Sequence, residues 1–322
     1  MIVVWRVTEH CNLCCKFCGF DRELMRPRKE ASPQKIREFG AILAEYQVRM
    51  AEPVLVSWLG GEPLLWTQLQ ELSETFRHEY LLKVSTTTNG TCLSSPKVRE
   101  HLLDCYSELT VSVDGIGIAH DNLRGWTGGY ASLERNVMQL AKEKQTRGNG
   151  LVLRANVLLM RQTIGGLENL CLELVRWGIE EITVNQLGGN DRPEFYPEHR
   201  LLPEQVEWLY TRWPDLRARL KSYGVRLRGG GGYLKRMRAT AADERLPIND
   251  CQPGQHFLFI DVSGEIAPCS FTVSGYGVAS DEIKSVDDLI QLPARFSNQR
   301  HRRRLPPCED CHSTQVFEKF AA

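Results

Sequence analysis

The sequence has no apolar run approaching the roughly 20 residues that a membrane span needs. Its opening, Met1-Ile2-Val3-Val4-Trp5-Arg6, is interrupted too soon to serve as a signal peptide. It has no charge excess either. Lysine plus arginine number 40, as do aspartate plus glutamate, so composition gives no electrostatic case for a nucleic-acid or membrane partner. The glycine run Gly229–Gly232 is not fed by a strand and is not followed by Gly-Lys-Ser/Thr, so it reads as a flexible turn and not as a phosphate-binding loop. No internal repeat stands out beyond an alternation of strands and helices. What remains is an ordinary globular composition, 42% hydrophobic and 25% charged over 322 residues. That length suits one large domain plus a smaller one, and the expected location is the cytoplasm.

Cysteine is the exception to this plainness. Eleven are many for a reducing compartment, and without an export signal they point to metal or redox chemistry before disulfides. Cys11, Cys14, Cys15 and Cys18 crowd one stretch, and Cys251, Cys269, Cys308 and Cys311 lie near the C-terminus. Between them lie only Cys92, Cys105 and Cys171, which read as small buried apolar residues. Two metal sites are expected.

Strands are predicted at 2–8, 54–59, 82–88, 109–113, 151–159 and 181–187, separated by helices after Ser32-Pro33 and near 67–79, 130–145 and 167–177. Such alternation implies right-handed βαβ units around a parallel sheet. Six repeats fall short of the eight of a closed barrel, so the fold class is α/β, a partial (β/α)6 TIM-like barrel. Residues 1–190 form it, 191–250 are a linker and helical region, and 251–322 a small domain of hairpin plus helix. The polar motifs fall at the C-terminal ends of strands, where parallel barrels place their active sites.

The first cysteine group follows the first strand as Cys11-x3-Cys15-x2-Cys18. Three thiolates on one short loop can ligate three irons of a cubane and leave the fourth open. Gly60-Gly61-Glu62-Pro63 closes the second strand, Thr88-Asn89-Gly90 the third and Ser112-Val113-Asp114-Gly115 the fourth. Together these resemble the radical S-adenosylmethionine (SAM) superfamily. The resemblance implies a [4Fe-4S] cluster on Cys11, Cys15 and Cys18, whose open iron binds SAM and, once reduced, cleaves it to a 5′-deoxyadenosyl radical. It also implies SAM contacts from Phe17, Gly60, Gly61, Glu62, Asn89, Ser112 and Asp114. Arg154 falls on one face of the fifth strand with Asn156 and Leu158, and pairs either with the SAM carboxylate or with a nearby carboxylate side chain. Cys14 is an extra thiol, and His120-Asp121-Asn122-Leu123-Arg124-Gly125 also looks like members of the SPASM/twitch branch of this superfamily, with no role assigned beyond a substrate-side loop.

Cys251-x12-Gly264-x4-Cys269 followed by Cys308-x2-Cys311 resembles the twitch relative of the SPASM domain, with a hairpin over Phe257–Cys269. Four thiolates fully ligate one auxiliary cluster, a [4Fe-4S] on this resemblance, for electron transfer; the same four also suit zinc. The basic run Arg300–Arg304 reads as a solvated helix face. The resemblance implies hydrogen abstraction from an unactivated C–H of a natural-product precursor, peptide or small molecule. Oxidation, crosslinking or epimerisation would follow, with a flavodoxin- or ferredoxin-type electron donor. Many peptide maturases carry a leader-binding domain ahead of the barrel; this sequence begins at the first strand, which favours a small or leader-independent substrate. The alternative from another class is a non-enzymatic zinc or iron–sulfur protein for interaction or electron transfer.

Overall fold

A computed structural model describes residues 1–317 and Lys319. Six parallel strands form in chain order: β1 (Ile2–Thr8), β2 (Leu55–Gly60), β3 (Lys83–Thr88), β4 (Glu108–Ser112), β5 (Val152–Leu159) and β6 (Glu181–Gln186). Helices on the outer face connect them: α1 (Pro33–Met50), α2 (Leu69–Glu74, continued by a π-turn to Glu79), α3 (Pro96–Cys105), α4 (Ile118–Arg124), α5 (Gly129–Arg147) and α6 (Leu167–Arg176). Local chemistry sets the first of these boundaries. Ser32 accepts a hydrogen bond from the Lys35 amide and Pro33 occupies the first turn of α1.

Side-chain alternation sorts each strand into two environments. In β1, Val3, Trp5 and Val7 are buried toward the helices, while Ile2 and Val4 face the lumen. Trp5 packs edge-on against Phe39 of α1, at 5.7 Å between ring centroids, and Trp58 packs likewise on Phe76 at 5.0 Å. Truncating one such buried aromatic costs about 3–5 kcal/mol. The Trp58 Nε1–H donates to Ser73 Oγ at 3.1 Å, so this layer is satisfied as well as packed. On the lumen side the strands carry Ser57, Ser85, Thr87, Thr110, Asn156 and Asn185, around a cavity of about 400 Å³. The main core is therefore outside the sheet, and the inside mixes these polar groups with Ile2, Val4, Leu55, Leu59 and Phe257.

Two features differ from expectation. The stretch 191–250, expected as linker and helices, carries the helices and adds a strand to the sheet. Its helix Pro203–Ser222 buries Val206, Leu209, Trp213, Leu216 and Leu220, and β7 (Arg226–Leu227) joins β6 in parallel. Gly231 and Gly232 open the helix Gly231–Ala241 where a flexible turn was expected. The C-terminal hairpin is also part of the main sheet. β8 (Phe257–Ile260) pairs in parallel with β1, Ile2 opposite Phe257, and β9 (Glu265–Ala267) and β10 (Val278–Ala279) follow antiparallel. The ten strands run β10-β9-β8-β1-β2-β3-β4-β5-β6-β7. Among the described residues no helix is long and apolar enough to cross a membrane.

Candidate active site at the C-terminal end of the sheet

The cysteine loop leaves β1 and is held by the ends of its neighbours. A Cβ added to Gly60 would meet the Thr8 carbonyl oxygen at 2.5 Å, and one on Gly61 the His10 oxygen at 2.2 Å. Only glycine lets the two backbones approach this closely, and the Gly61 and Glu62 amides then donate to Thr8 and His10, each at 2.8 Å. From β3, the Asn89 Nδ2 donates to Asn12 Oδ1 at 2.9 Å and lies 3.7 Å from Cys11 Sγ, and Asn12 donates to Thr91 Oγ1. Gly90, at φ 82°, makes the turn that brings Asn89 there.

Cys11, Cys15 and Cys18 share one loop and one electrostatic neighbourhood. Burial raises all three thiols, Cys15 to about 12, while the Arg124 guanidinium works to lower each of them. Cys18 and Cys11 in turn raise Cys15, which places the three within Coulombic reach of one another. Cys14 Sγ lies 3.7 Å from the Gly125 carbonyl oxygen, as Cys15 Sγ does from that of Arg124, but Cys14 is not among the charges acting on the other three thiols.

Arg124 was not assigned a role from sequence, although the segment carrying it stood out. It ends α4 and pairs with Asp114 at 2.5 Å, with the Asp114 side chain fully buried. Burial disfavours its charged form, but Asp114 and then Cys15 outweigh this and raise its pKa. Phe17 sits against this cation, at 5.4 Å from guanidinium carbon to ring centroid, and 6.5 Å from the ring of Phe195. Asp191, whose Cγ would lie 3.2 Å from a Cβ on Gly19, and Arg192, paired with Asp21 at 3.1 Å, bring the segment after β6 over the loop.

Three expected SAM contacts are otherwise engaged. Glu62 is fully buried and accepts from Thr88 Oγ1 at 2.7 Å, the Asn89 amide at 2.6 Å and the Leu64 amide at 3.2 Å. Burial pushes its carboxyl up to about 7 against those donors. It braces β2 to β3. Asp114 accepts from the Leu158 amide at 2.9 Å and holds Arg124, which ties β4, β5 and α4. Arg154 lies at the opposite end of the barrel, because it is near the start of β5 and in register with Glu181, the first residue of β6. It pairs with Glu108 at 3.0 Å and Glu181 at 2.8 Å, and Glu181 also holds Arg226 and Arg228. Its partners are side-chain carboxylates. Ser112 ends β4, buried and in register with Asn156.

The second group converges too. Cys251, Cys269, Cys308 and Cys311 all line one cavity of about 300 Å³. Burial raises Cys251, Cys269 and Cys311, the last to about 11, and Cys308 acts on each of the three. The turn carrying Cys308 and Cys311 is anchored from outside, since Asp310 pairs with the buried Arg236 and accepts from the Leu246 amide at 3.0 Å. Phe257 and Gln315 face both this cavity and the barrel lumen, so the two spaces adjoin. Among the described residues, no three His, Cys, Asp or Glu side chains close on a single-ion site.

Comparison with known proteins agrees with this geometry. The model of the Radical SAM superfamily matches residues 5–153. The AdoMet-dependent heme synthase of Nitratidesulfovibrio vulgaris is 22% identical over 84% of this chain and 73% of its own length. The mycofactocin maturase MftC of Mycolicibacterium smegmatis is 22% identical over 96% of this chain and 74% of its own. Among solved structures, Streptococcus suis SuiB bound to S-adenosylmethionine aligns with a TM-score of 0.67 at 19% identity, covering 98% of this chain and 72% of that one. The anSMEcpe structure with bound AdoMet aligns at 0.64 and 15%, covering 98% and 84%. A parallel sheet with three loop thiols at its C-terminal end, matched over residues 5–153 by this family model, gives the chain a radical SAM domain.

Proposed function

We propose that this enzyme abstracts hydrogen from an unactivated C–H of a precursor peptide, using SAM and a [4Fe-4S] cluster held by Cys11, Cys15 and Cys18. One observation supports the ligand assignment: Cys11, Cys15 and Cys18 share one loop and all three feel the Arg124 charge. That donor set fits a cubane with one open iron. When bound, the group supplies reductive cleavage of SAM, and the chain's own residues do the rest. The Gly60 and Gly61 backbone, Phe17, Asn89 and Ser112, on the loop or at the C-terminal ends of the strands, would orient SAM. Arg124 offsets the negative charge of three thiolates, and the lumen, lined by both polar and apolar side chains, receives the substrate. A peptide is favoured because SuiB is known bound to its precursor peptide SuiA and anSMEcpe to a Cp18Cys peptide, and MftC is a maturase.

The twitch-type unit would hold an auxiliary [4Fe-4S] cluster on Cys251, Cys269, Cys308 and Cys311. A shared space of about 300 Å³ suits a multinuclear centre, whereas a lone zinc draws its thiolates to roughly 2.3 Å. Its contact with the lumen through Phe257 suits passage of an electron to or from substrate. The reading is tested by anaerobic reconstitution, reduction and quantitation of 5′-deoxyadenosine. Sustained formation is expected; protein that holds iron and sulfide yet never cleaves SAM would sink it. With a candidate peptide, one SAM consumed per product indicates net oxidation or crosslinking. Solvent deuterium in an otherwise unaltered product indicates epimerisation.

A further inference from the structure

The helix Val286–Arg302 ends against the second cysteine cavity, and its basic run is not uniformly solvated. Arg300 lines the cavity and donates to the Ile248 and Asn249 carbonyls, the latter at 2.6 Å. Arg304 donates to the Cys308 carbonyl at 2.8 Å and pairs with Glu309 at 3.0 Å. Tyr276, also on the cavity wall, donates its hydroxyl to the Arg303 carbonyl at 2.7 Å. The run is thus fixed to the cysteine site at both ends, while His301, Arg302 and Arg303 between them are exposed. Among the described residues, the ion pairs of this stretch go to Arg295, with Glu282, and to Arg304, with Glu309. Arg302 and Arg303 carry their charge into solvent. Cys251, Cys269 and Cys308 are only partly buried, so a group held there lies close to this surface.

The chain as a whole is charge-balanced, so these cations form a local feature beside a candidate redox centre. Such a surface speeds encounter with an anionic protein, and electron transfer, which falls steeply with distance, works only where the partner sits near the centre. We propose that the end of this helix is the docking surface for an acidic electron-carrier protein of flavodoxin or ferredoxin type, which exchanges one electron with the auxiliary cluster. The cluster is oxidised by one electron as the carrier is reduced by one, or the reverse. This rests on the reading that Cys251, Cys269, Cys308 and Cys311 hold an iron–sulfur cluster.

Binding and electron exchange test it together, on anaerobically reconstituted protein with Cys11, Cys15 and Cys18 replaced by alanine, so that only the C-terminal group responds. Calorimetry at low ionic strength should show the affinity for oxidised flavodoxin falling about tenfold or more in Arg302→Glu/Arg303→Glu. The difference should shrink as salt is raised. Arg302→Lys/Arg303→Lys keeps the charge and should bind as the parent does. After photoreduction with deazariboflavin, stopped-flow mixing should show one-electron reduction of the flavodoxin flavin slowed by a like factor in the glutamate variant. Oxidation of the same cluster by free riboflavin, which is uncharged, should be equal in all three proteins. Unchanged flavodoxin binding in the glutamate variant, an equal slowing with riboflavin, or a loaded cluster that passes no electron to flavodoxin would each overturn the docking assignment. Protein that takes up no iron and sulfide at these four cysteines removes instead the cluster reading beneath it.

Discussion

Arg124 and Asp114 form an ion pair at 2.5 Å, buried against the cysteine loop, and the pair joins the loop to the ends of β4 and β5. Arg124→Ala leaves a buried carboxylate without its cation and should cost about 3–5 kcal/mol, read as a fall in the urea midpoint of the metal-free protein. Removing both charges together, Arg124→Met with Asp114→Leu, should recover much of that loss. If the single variant unfolds at the wild-type midpoint, the pair is not holding the loop.

Cys11, Cys15 and Cys18 share the field of Arg124, and their variants should differ in kind from that of Cys14. Cys11→Ala, Cys15→Ala and Cys18→Ala should each reduce 5′-deoxyadenosine formation to background, because a cubane with only two thiolate anchors is not retained. Cys14→Ala should stay within about twofold of wild type, as a substitution away from the donor set. Equal loss in Cys14→Ala would mean that the ligand set has been misassigned.

The barrel was legible in the sequence because each strand is a short β-branched or aliphatic run that stops at a polar turn. The predicted strand at 2–8 matches β1, and that at 181–187 matches β6 to within a residue. Alternation also placed Arg154, Asn156 and Leu158 on one face of β5. What alternation cannot supply is height along the barrel. Arg154 is near the start of its strand, so its side chain meets Glu108 and Glu181 far from the cysteine loop. Partners distant in sequence were illegible for the same reason. Nothing local couples Arg124 to Asp114 across the turn, Arg236 to Asp310, or Phe257 to Ile2, and these contacts close the site and merge the hairpin with the barrel.

Glu62 gives the fold a pH dependence of unusual sign for a carboxylate. Its carboxyl titrates at about 7 when folded against an ordinary 4.5, so between those values the folded state holds the extra proton. Its contribution is fully present below about pH 4.5 and is lost as pH rises through about 7, on the order of 3 kcal/mol in all. Glu62→Gln should flatten that slope in metal-free protein. It should also cost about 1–3 kcal/mol at acid pH, because an amide cannot accept at every position the carboxyl serves. Urea midpoints for both proteins across this range provide the check, and parallel slopes would refute it.

The second cysteine group should load independently of the first. A variant with Cys11, Cys15 and Cys18 all replaced by alanine should still bind iron and acid-labile sulfide anaerobically, and adding Cys269→Ala should lower both. Zinc alone in the first variant would return the four C-terminal thiolates to a structural role.

Arg154 separates two uses of a buried arginine. If it held the SAM carboxylate, Arg154→Ala would weaken SAM binding by tenfold or more, since a charge-assisted contact is worth about 1.5–3 kcal/mol. Its pairing with Glu108 and Glu181 predicts a different outcome: a stability loss of similar size and a SAM affinity within about twofold of wild type by equilibrium dialysis. The loss is limited because Glu181 keeps Arg226 and Arg228, and Glu108, which loses its pair, is partly exposed to solvent. Glu181→Gln removes the shared anion from three arginines at once and should destabilise more than Arg154→Ala. Reversal of that order would show that the network is not centred on Glu181.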